Sequence, residues 1–280
     1  MLNEYTVLHP ITKGFSNDQK FVVQDGGKKV IVRLFEGNQE RREQEFRILR
    51  MLERLGANTL RAISIEEGKM VTSFIEGTDA EETIDNLTEE EQYAIGWEVS
   101  RDLLKIHSIK AEENTWYDYQ LAKYEKYVKR YRELPMEIVG DEQVIRFIEE
   151  RIPLMKERPS VLQHDDFHLS NLIIHNGKYA GAIDFGRFDW GDPVCDFIKL
   201  GMFSTEKSVP FAVGLIEGYH SGKPPQLFWE LYALYLAMNV FSSAVWGHIQ
   251  GNEEVMLRHI ERFMRDHEGF TKSIPAWYKA

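Results

Sequence analysis

Two short segments hold the residues whose types and spacing could do chemistry. The first runs from His164 to Asn171 and includes Asp165 and Asp166. The second, Asp184-Phe185-Gly186, begins 13 residues after Asn171. Carboxylate and amide oxygens without a cysteine or histidine cluster suit Mg²⁺, which accepts one or two protein ligands and keeps other positions for water and substrate phosphates. The pattern therefore predicts a magnesium site that also binds phosphate groups.

A hairpin between the two segments would bring these oxygens together. The apolar runs on either side of Asn176-Gly177 favour a two-residue type I′ turn, in which both central residues have positive φ. Counting back from that turn places Asn171 opposite Ala182, so Asp184 lies just past Asn171, about 7 to 8 Å away at Cα. Asp166 precedes Asn171 by five residues, and one loop can return its carboxylate to the same edge.

The order of these residues resembles known signatures. His164-x-Asp166-x-x-x-x-Asn171 followed by Asp184-Phe185-Gly186 is similar to the catalytic-loop and metal-loop motifs of the protein-kinase fold. With Gly191-Asp192-Pro193-x-x-Asp196-Phe197 downstream, the run resembles the aminoglycoside phosphotransferase family of small-molecule kinases. The resemblance covers nearly the whole chain and extends upstream to Lys13–Asp18, Val30–Arg33, Glu45–Leu49 and Leu104–His107.

The resemblance implies transfer of the γ-phosphoryl group of ATP or GTP to a hydroxyl of an aminoglycoside-type antibiotic. Asp166 would accept or orient the hydroxyl proton, while Asn171 and Asp184 would hold Mg²⁺ on the phosphates. Such chemistry is mostly positioning and neutralisation of charge, so few residues suffice. The other implied nucleotide-binding residues are Ser16 and Asn17 in a covering loop, Arg33 with its ion-pair partner Glu45, and Ser73 and Ile75 at a hinge.

The chain departs from the family pattern at three places. Arg33 stands where kinases usually have Lys; a guanidinium still pairs with phosphate and with Glu45, but through a planar fork. Asp165 stands where the family usually has Gly, and a second carboxylate beside Asp166 would favour a cationic acceptor. The covering loop has Gly14 alone, so a glycine-rich fingerprint is absent.

Other functions share these residues. A metabolic kinase for choline or another amino alcohol, a sugar or a macrolide would use the same mechanism. An inactive nucleotide-binding pseudokinase is disfavoured because Asp166, Asn171 and Asp184 are all present. A protein kinase is disfavoured because Gly191-Asp192-Pro193 comes five residues after Gly186, which leaves no room for an activation loop. Asp192 is the expected N-cap of the segment at Pro193, and Asp196 is expected to brace the catalytic loop.

The elements around these motifs predict an α+β, bilobal, protein-kinase-like fold. Residues 1–76 read as an antiparallel sheet with one helix near 41–55, and form the predicted nucleotide-binding lobe. Residues 77–280 read as a larger, mainly helical lobe with the catalytic loop and the acceptor site, and the site is expected in the cleft between the lobes. Thr88 and Glu91 form a predicted capping box. The apolar run 227–246 contains Glu230 and Asn239, which favours a buried helix over a membrane span.

Composition restricts the partners. The chain has 280 residues and a net charge of −11, from 34 basic and 45 acidic side chains. This excess argues against nucleic-acid binding, which needs a basic surface, and favours cationic partners. Cys195 is the one cysteine, so no intramolecular disulfide forms. The N-terminus lacks the pattern of a signal peptide, and we expect a cytoplasmic protein that does not bind membranes.

Overall fold

The computed structural model describes residues 2, 4–13 and 18–279, which form two compact units. The first unit comprises Met1–Asn86 and Leu169–Phe188, and the second comprises Leu87–His168 and Asp189–Ala280. By its contacts, the hairpin that the sequence assigns to the larger lobe groups with the N-terminal sheet. The predicted α+β class is confirmed, with an antiparallel N-terminal sheet and a larger helical portion.

A five-stranded antiparallel sheet organises the first unit. Its strands are β1 (Thr6–Ile11), β2 (Gln19–Asp25), β3 (Lys28–Leu34), β4 (Ala62–Glu66) and β5 (Lys69–Ser73). Their order across the sheet is β1-β2-β3-β5-β4. Val23, Val30, Val32 and Val71 are buried on one face, where alternating side chains of neighbouring strands pack together. The opposite face, which includes Arg33, is turned toward the helix.

Helix α1 (Gln39–Arg54) covers that opposite face. Ile48, Leu49 and Leu52 are buried at helical spacing, so the predicted helix over 41–55 is confirmed to within two residues at its start. Glu45 is buried with them, and it is the one acidic residue among the buried positions of α1. The helix thereby delivers a single carboxylate to the sheet face that holds Arg33.

A small three-stranded sheet completes the first unit. It contains β6 (Thr78–Asp79), β8 (Leu172–His175) and β9 (Lys178–Ala182), in the order β6-β8-β9, and the short helix α2 (Ala80–Thr83) follows β6. Asn176 and Gly177 have φ of 52° and 72°, which confirms the predicted two-residue turn with positive φ at both positions.

The predicted register of this hairpin was wrong beyond the turn. A bulge between Ile173 and Ile174 pairs Leu172, and not Asn171, with Ala182. Such a bulge inserts one residue into one strand and shifts every later pair. Asn171 therefore lies level with Ile183, whose N–H donates to the Asn171 carbonyl at 2.9 Å. Asp184 follows directly, so it lies one residue beyond Asn171 along the ladder.

Helices dominate the second unit. They are α3 (Glu89–His107), α4 (Trp116–Tyr131), α5 (Asp141–Arg151), α6 (Asp196–Met202), α7 (Val209–His220), α8 (Gln226–Gln250) and α9 (Glu253–Asp266). Thr88 and Glu91 form both hydrogen bonds of the predicted capping box at the start of α3. Strands β7 (Val161–Gln163) and β10 (Asp189–Gly191) pair as a two-stranded antiparallel ribbon on either side of the catalytic segment.

Helix α8 lies in the core of the second unit. Sixteen of its 25 residues are buried, and its mixed polar positions agree with the predicted core helix. Glu230 on α8 accepts from Arg151 Nε at 3.0 Å, so the charge within the apolar run is paired. Within the described part of the chain, no helix is long and apolar enough to span a membrane.

Candidate active site

The predicted site residues fall in both units. Arg33, Glu45, Ser73, Ile75, Asn171 and Asp184 belong to the first unit, and Asp166 belongs to the second. Ser16 and Asn17 lie outside the described residues. The described residues predicted to bind phosphate and metal therefore belong to the first unit, and the predicted base belongs to the second.

Arg33 and Glu45 form the ion pair that the sequence predicts. Arg33 Nη1 donates to both carboxylate oxygens of Glu45, each at 2.9 Å. Arg33 is 8% exposed and Glu45 is 2% exposed. Two buried charges persist only when they are paired and hydrogen-bonded, so each residue requires the other. The pair holds the β3 guanidinium in one place.

Two further residues extend this pair through contacts that no sequence motif marks. Arg42 Nη1 donates to Glu45 Oε2 at 2.9 Å, and Arg42 Nη2 donates to Asp18 Oδ2 at 2.5 Å. Asp18 Oδ2 also lies 3.7 Å from Arg33 Nε. The spacing of Arg42 and Glu45, three residues apart on one helix, was the available signal. No sequence spacing identifies the role of Asp18, because its contacts with Arg33 and Arg42 form only in the fold.

Asp184 meets two cations at the end of the hairpin. Its Oδ1 lies 3.6 Å from Arg33 Nη2, and its Oδ2 lies 3.4 Å from Lys20 Nζ. Its φ is 62°, a left-handed conformation that Asp tolerates better than most residues. Asp184 lies two residues past the end of β9, so its carboxylate is presented just beyond the strand. Its side chain remains 38% exposed and is open to a ligand.

Asn171 and Asp184 have the donor chemistry that a magnesium ion needs. Each offers hard oxygen atoms, and the bulged hairpin sets their backbones one residue apart along the ladder. The described residues contain no group of three or more His, Cys, Asp or Glu side chains that could hold a metal. The pair fits the mode in which Mg²⁺ takes two protein ligands and completes its shell with phosphate and water.

Asp196 braces the segment that carries Asp166, as predicted. Its Oδ2 accepts from the backbone N–H of His164 at 2.9 Å, and its Oδ1 accepts from that of Asp165 at 2.7 Å. Asp165 has φ of 59°, which turns two successive N–H groups toward one carboxylate. This conformation favours Gly, and Asp is among the residues that tolerate it. The backbone thus explains why a small or Asx residue suits position 165.

Asp196 is itself held from behind by His107. His107 Nε2 lies 3.0 Å from Asp196 Oδ2, and His107 Nδ1 lies 2.8 Å from the hydroxyl of Tyr219. Burial, followed by repulsion from Asp196 and Asp192, raises the pKa of Tyr219, so the phenol stays protonated. A phenol that donates to Nδ1 leaves Nε2 to donate to Asp196. Sequence spacing could not assign His107 to this role, because α3 and α6 meet only in the fold.

Asp166 lies between two histidines of its own loop. Its backbone N–H donates to His164 Nδ1 at 3.3 Å, and its Oδ1 lies 3.5 Å from His168 Nε2. The side chain of Asp166 is 24% exposed, which leaves the carboxylate accessible. His164 is fully buried and packs edge-on against the Phe167 ring. The contacts of these two histidines therefore help to position Asp166.

Lys123 on α4 changes the electrostatics expected around Asp165. Burial disfavours its charge, but attraction to Asp165, together with smaller contributions that include Asp189, outweighs burial and raises the pKa of Lys123. The ammonium therefore stays charged and offsets part of the negative charge that the paired aspartates would create. No sequence motif marks Lys123.

Asp192 serves structure in the second unit. It caps the segment that starts at Pro193, because its Oδ1 accepts from Val194 N at 3.0 Å. Arg158 Nε donates to its Oδ2 at 2.5 Å, and the Tyr235 hydroxyl donates to the same oxygen at 2.9 Å. The predicted capping role is confirmed, and the two additional donors explain how a fully buried carboxylate is satisfied.

Ser73 and Ile75 lie at and just beyond the end of β5. The Ser73 N–H donates to the Arg61 carbonyl at 2.9 Å, and its hydroxyl accepts from Arg61 N at 2.8 Å. Both groups thus serve the sheet. The Ile75 side chain lies against Gly181, where an added Cβ would come within 2.8 Å of its Cδ1. The contact of this segment's backbone groups to a nucleotide base stays a prediction.

Comparisons with known proteins give a family match and several structural likenesses. A sequence model described as the phosphotransferase enzyme family matches residues 7–229. No curated protein sequence matches the chain. The solved structure of a gentamicin complex of APH(2″)-IIa is similar with a TM-score of 0.67 and 19% identity, over 94% of this chain and 91% of that chain.

Two further solved structures show the same likeness. ADP-bound aminoglycoside phosphotransferase APH(2″)-Ib has a TM-score of 0.69 and 19% identity, over 94% of this chain and 93% of that chain. A thermostable mutant of APH(4)-Ia, in a ternary complex with ADP and hygromycin B, has a TM-score of 0.70 and 14% identity, over 93% and 94%. At such identities the likeness shows a shared fold.

Proposed function

The chain belongs to the phosphotransferase enzyme family, and from that premise we propose that it transfers the γ-phosphoryl group of ATP or GTP to a hydroxyl of an aminoglycoside-type acceptor. It is a small-molecule kinase. The nucleotide and the acceptor class are the proposed parts, and they rest on the residues described above.

One observation carries the proposal: Arg33, held by Glu45, presents a second guanidinium nitrogen 3.6 Å from Asp184. Polyphosphate binding requires a fixed cation beside a carboxylate that can hold a metal ion. The cation and the metal ion then both contact the phosphate oxygens. Arg33 would contact the phosphates of the nucleotide. Asn171 and Asp184 would hold Mg²⁺, which when bound neutralises charge on those oxygens.

Asp166 would act on the acceptor hydroxyl. Its carboxylate accepts or orients the hydroxyl proton while the hydroxyl oxygen forms a bond to the γ-phosphorus and the bond to the leaving nucleotide breaks. His164 and His168 limit the positions that this carboxylate adopts, and Asp196 anchors the loop backbone. Such preorganisation accounts for much of the rate in phosphoryl transfer, because the protein supplies position and charge.

The acidic character of the chain supports a cationic acceptor. The net charge is −11, and Asp165 adds a carboxylate directly beside Asp166. Among the structural relatives, APH(2″)-Ib and APH(4)-Ia are aminoglycoside phosphotransferases, and the structures of APH(2″)-IIa and APH(4)-Ia contain gentamicin and hygromycin B, respectively. A polyamine sugar fits the charge of the loop.

A second candidate acceptor is a neutral hydroxyl compound such as a sugar. Lys123 stays protonated beside Asp165 and reduces the negative charge that an ammonium group would meet. A weaker field at this position favours an acceptor without several positive charges. The two candidates differ in the acceptor and share the mechanism.

A phosphorylation screen tests the proposal. The protein is incubated with Mg²⁺ and ATP or GTP in the presence of aminoglycosides, amino alcohols and sugars, and products are read by mass spectrometry as the gain of one HPO₃ unit. We expect product with aminoglycosides and none with Asp166→Asn, whereas the exposed Asp118→Asn control on α4 retains activity. A wild-type protein that modifies no acceptor of any class, or Asp166→Asn with unchanged turnover, contradicts the proposal.

A further inference from the structure

We propose that Lys20 on β2 binds the nucleotide phosphates in the place of the lysine that β3 lacks. The inference rests on the proposed function and assigns a specific phosphate contact within it. Arg33, fixed between the sheet and α1, offers the phosphates its remaining guanidinium nitrogen, and Lys20 supplies the ammonium beside it.

The strand register places Lys20 beside Arg33. The two residues are direct partners across the antiparallel β2–β3 pair. Cross-strand partners project from the same face of a sheet, with Cβ atoms about 4.5 to 5.5 Å apart. Because the Arg33 face is the one turned toward α1 and Asp184, Lys20 shares that face. Phe21 and Val32, the next pair along, face the opposite core.

The side chain of Lys20 reaches the metal-binding carboxylate. Lys20 Nζ lies 3.4 Å from Asp184 Oδ2, while Arg33 Nη2 lies 3.6 Å from Asp184 Oδ1. The lysine side chain is 13% exposed, so its aliphatic part is packed and its ammonium is held toward Asp184. The two cations flank the two oxygens of one carboxylate. Phosphate oxygens bound to the same metal ion as Asp184 must therefore come within reach of both Lys20 and Arg33.

Arg33 is more firmly held than Lys20. Its Nη1 donates to Glu45 at 2.9 Å twice, and its Nε lies 3.7 Å from Asp18. These partners take much of the fork that a guanidinium would otherwise offer to phosphate. The described contact of Lys20, at 3.4 Å, is longer than a usual charge-assisted hydrogen bond of about 2.7 to 2.9 Å. Its ammonium is therefore held by fewer and longer contacts than the Arg33 guanidinium.

The balance of charge agrees with this role. Arg33, Arg42 and Lys20 supply three positive charges, and Asp18, Glu45 and Asp184 supply three negative charges. Because Asp184 would turn to a divalent cation that arrives with the nucleotide, one ammonium is left without its carboxylate. That ammonium is Lys20, and a phosphate oxygen of the nucleotide would replace the Asp184 carboxylate as its anionic partner.

Nucleotide binding to purified full-length protein tests the inference without an acceptor. Calorimetry with Mg²⁺ and ADP or GDP, whichever binds more tightly, compares wild type with Lys20→Met, and the matching nucleoside serves as a ligand without phosphates. We expect Lys20→Met to weaken diphosphate binding about tenfold, the loss of one charge-assisted contact, and to leave nucleoside binding unchanged. Lys28→Met is the matched control, since Lys28 is exposed at the β2–β3 turn.

A swap of the two positions sharpens the test. The double variant Lys20→Met/Arg33→Lys returns a lysine to β3, and we expect it to recover at least part of the lost diphosphate affinity. Thermal melting of each variant checks that it is folded. Equal diphosphate binding by Lys20→Met and wild type overturns the inference alone. A wild-type protein that binds no nucleotide overturns the proposed function and this inference together.

Discussion

His107 Nε2 lies 3.0 Å from Asp196 Oδ2, and that same oxygen accepts the backbone N–H of His164 at 2.9 Å. The imidazole and the catalytic loop are thus joined through one fully buried carboxylate. Tyr219 completes the chain on the far side of the ring. The connection runs from α7 through α3 and α6 to the loop that carries Asp166, so helices distant in sequence determine where that loop lies.

Asp196→Asn tests this connection. The amide keeps the shape but replaces one acceptor oxygen with a donor that would face N–H groups, so the loop shifts. We expect kcat to fall by about 10- to 100-fold, the cost of a displacement near 1 Å at a reacting group, with nucleotide affinity little changed. Steady-state kinetics and calorimetry measure the two quantities. Glu254→Gln, at an exposed position, is the control, and an unaltered kcat in Asp196→Asn would count against the positioning role.

Glu45→Gln tests the buried ion-pair network of the first unit. The substitution leaves Arg33 and Arg42 facing a neutral amide, and removal of one partner from a buried pair costs about 3 to 5 kcal/mol. We expect a loss of unfolding free energy of this order in denaturant titration, together with weaker nucleotide binding. Glu43→Gln on the same helix, where the side chain is 46% exposed, should change stability by less than about 1 kcal/mol. Similar losses in both variants would disprove a special role for Glu45.

Gly96→Ala tests the close packing of α3 against α7. A Cβ at position 96 would approach Leu215 N to 2.7 Å and would also meet the Phe211 carbonyl oxygen. Ala is the better helix former by about 1 kcal/mol, so intrinsic propensity alone predicts stabilisation. We expect destabilisation by about 1 to 3 kcal/mol because backbone atoms cannot move aside. Glu98→Ala, exposed on the same helix, should be nearly neutral; a more stable Gly96→Ala protein would refute the packing argument.

His267 makes stability depend on pH. Burial, partly offset by a hydrogen bond to the Lys272 carbonyl, lowers the pKa of His267 from 6.5 to about 4. Because the unfolded state binds the proton more tightly, this residue's contribution is complete above about pH 6.5 and is lost as the pH falls toward 4. At pH 5 the loss is roughly 2 kcal/mol.

Denaturant titrations at pH 7 and pH 5 check this prediction. We expect His267→Asn, which keeps a donor near the position of Nδ1, to lose less stability between the two pH values than wild type does. His248→Asn, at an exposed position, should behave as wild type. An unchanged pH dependence in His267→Asn would show that other groups account for it.

The hairpin shows how far local sequence determines structure. Asn176-Gly177 specifies its turn, because few other pairs adopt positive φ at both positions. No local pattern signals the bulge that shifts the register. Further along β9, Ala182 meets Thr59 in a parallel bridge and its N–H donates to Asn58 O at 2.8 Å, and these long-range contacts form only in the fold.

The amino-acid sequence by itself supplied the predicted site residues and their order: Asp166, Asn171, Asp184 and the pair Arg33 and Glu45. It did so because each segment carries its own motif, and the order of these motifs carries the family resemblance. Only the tertiary structure decided which side chains surround these groups. Lys20, His107 and Lys123 have no distinctive neighbours in sequence, and they acquire their roles through strand register and helix packing. Such contacts join residues far apart in the chain, and the energies that select them arise only when the whole fold forms.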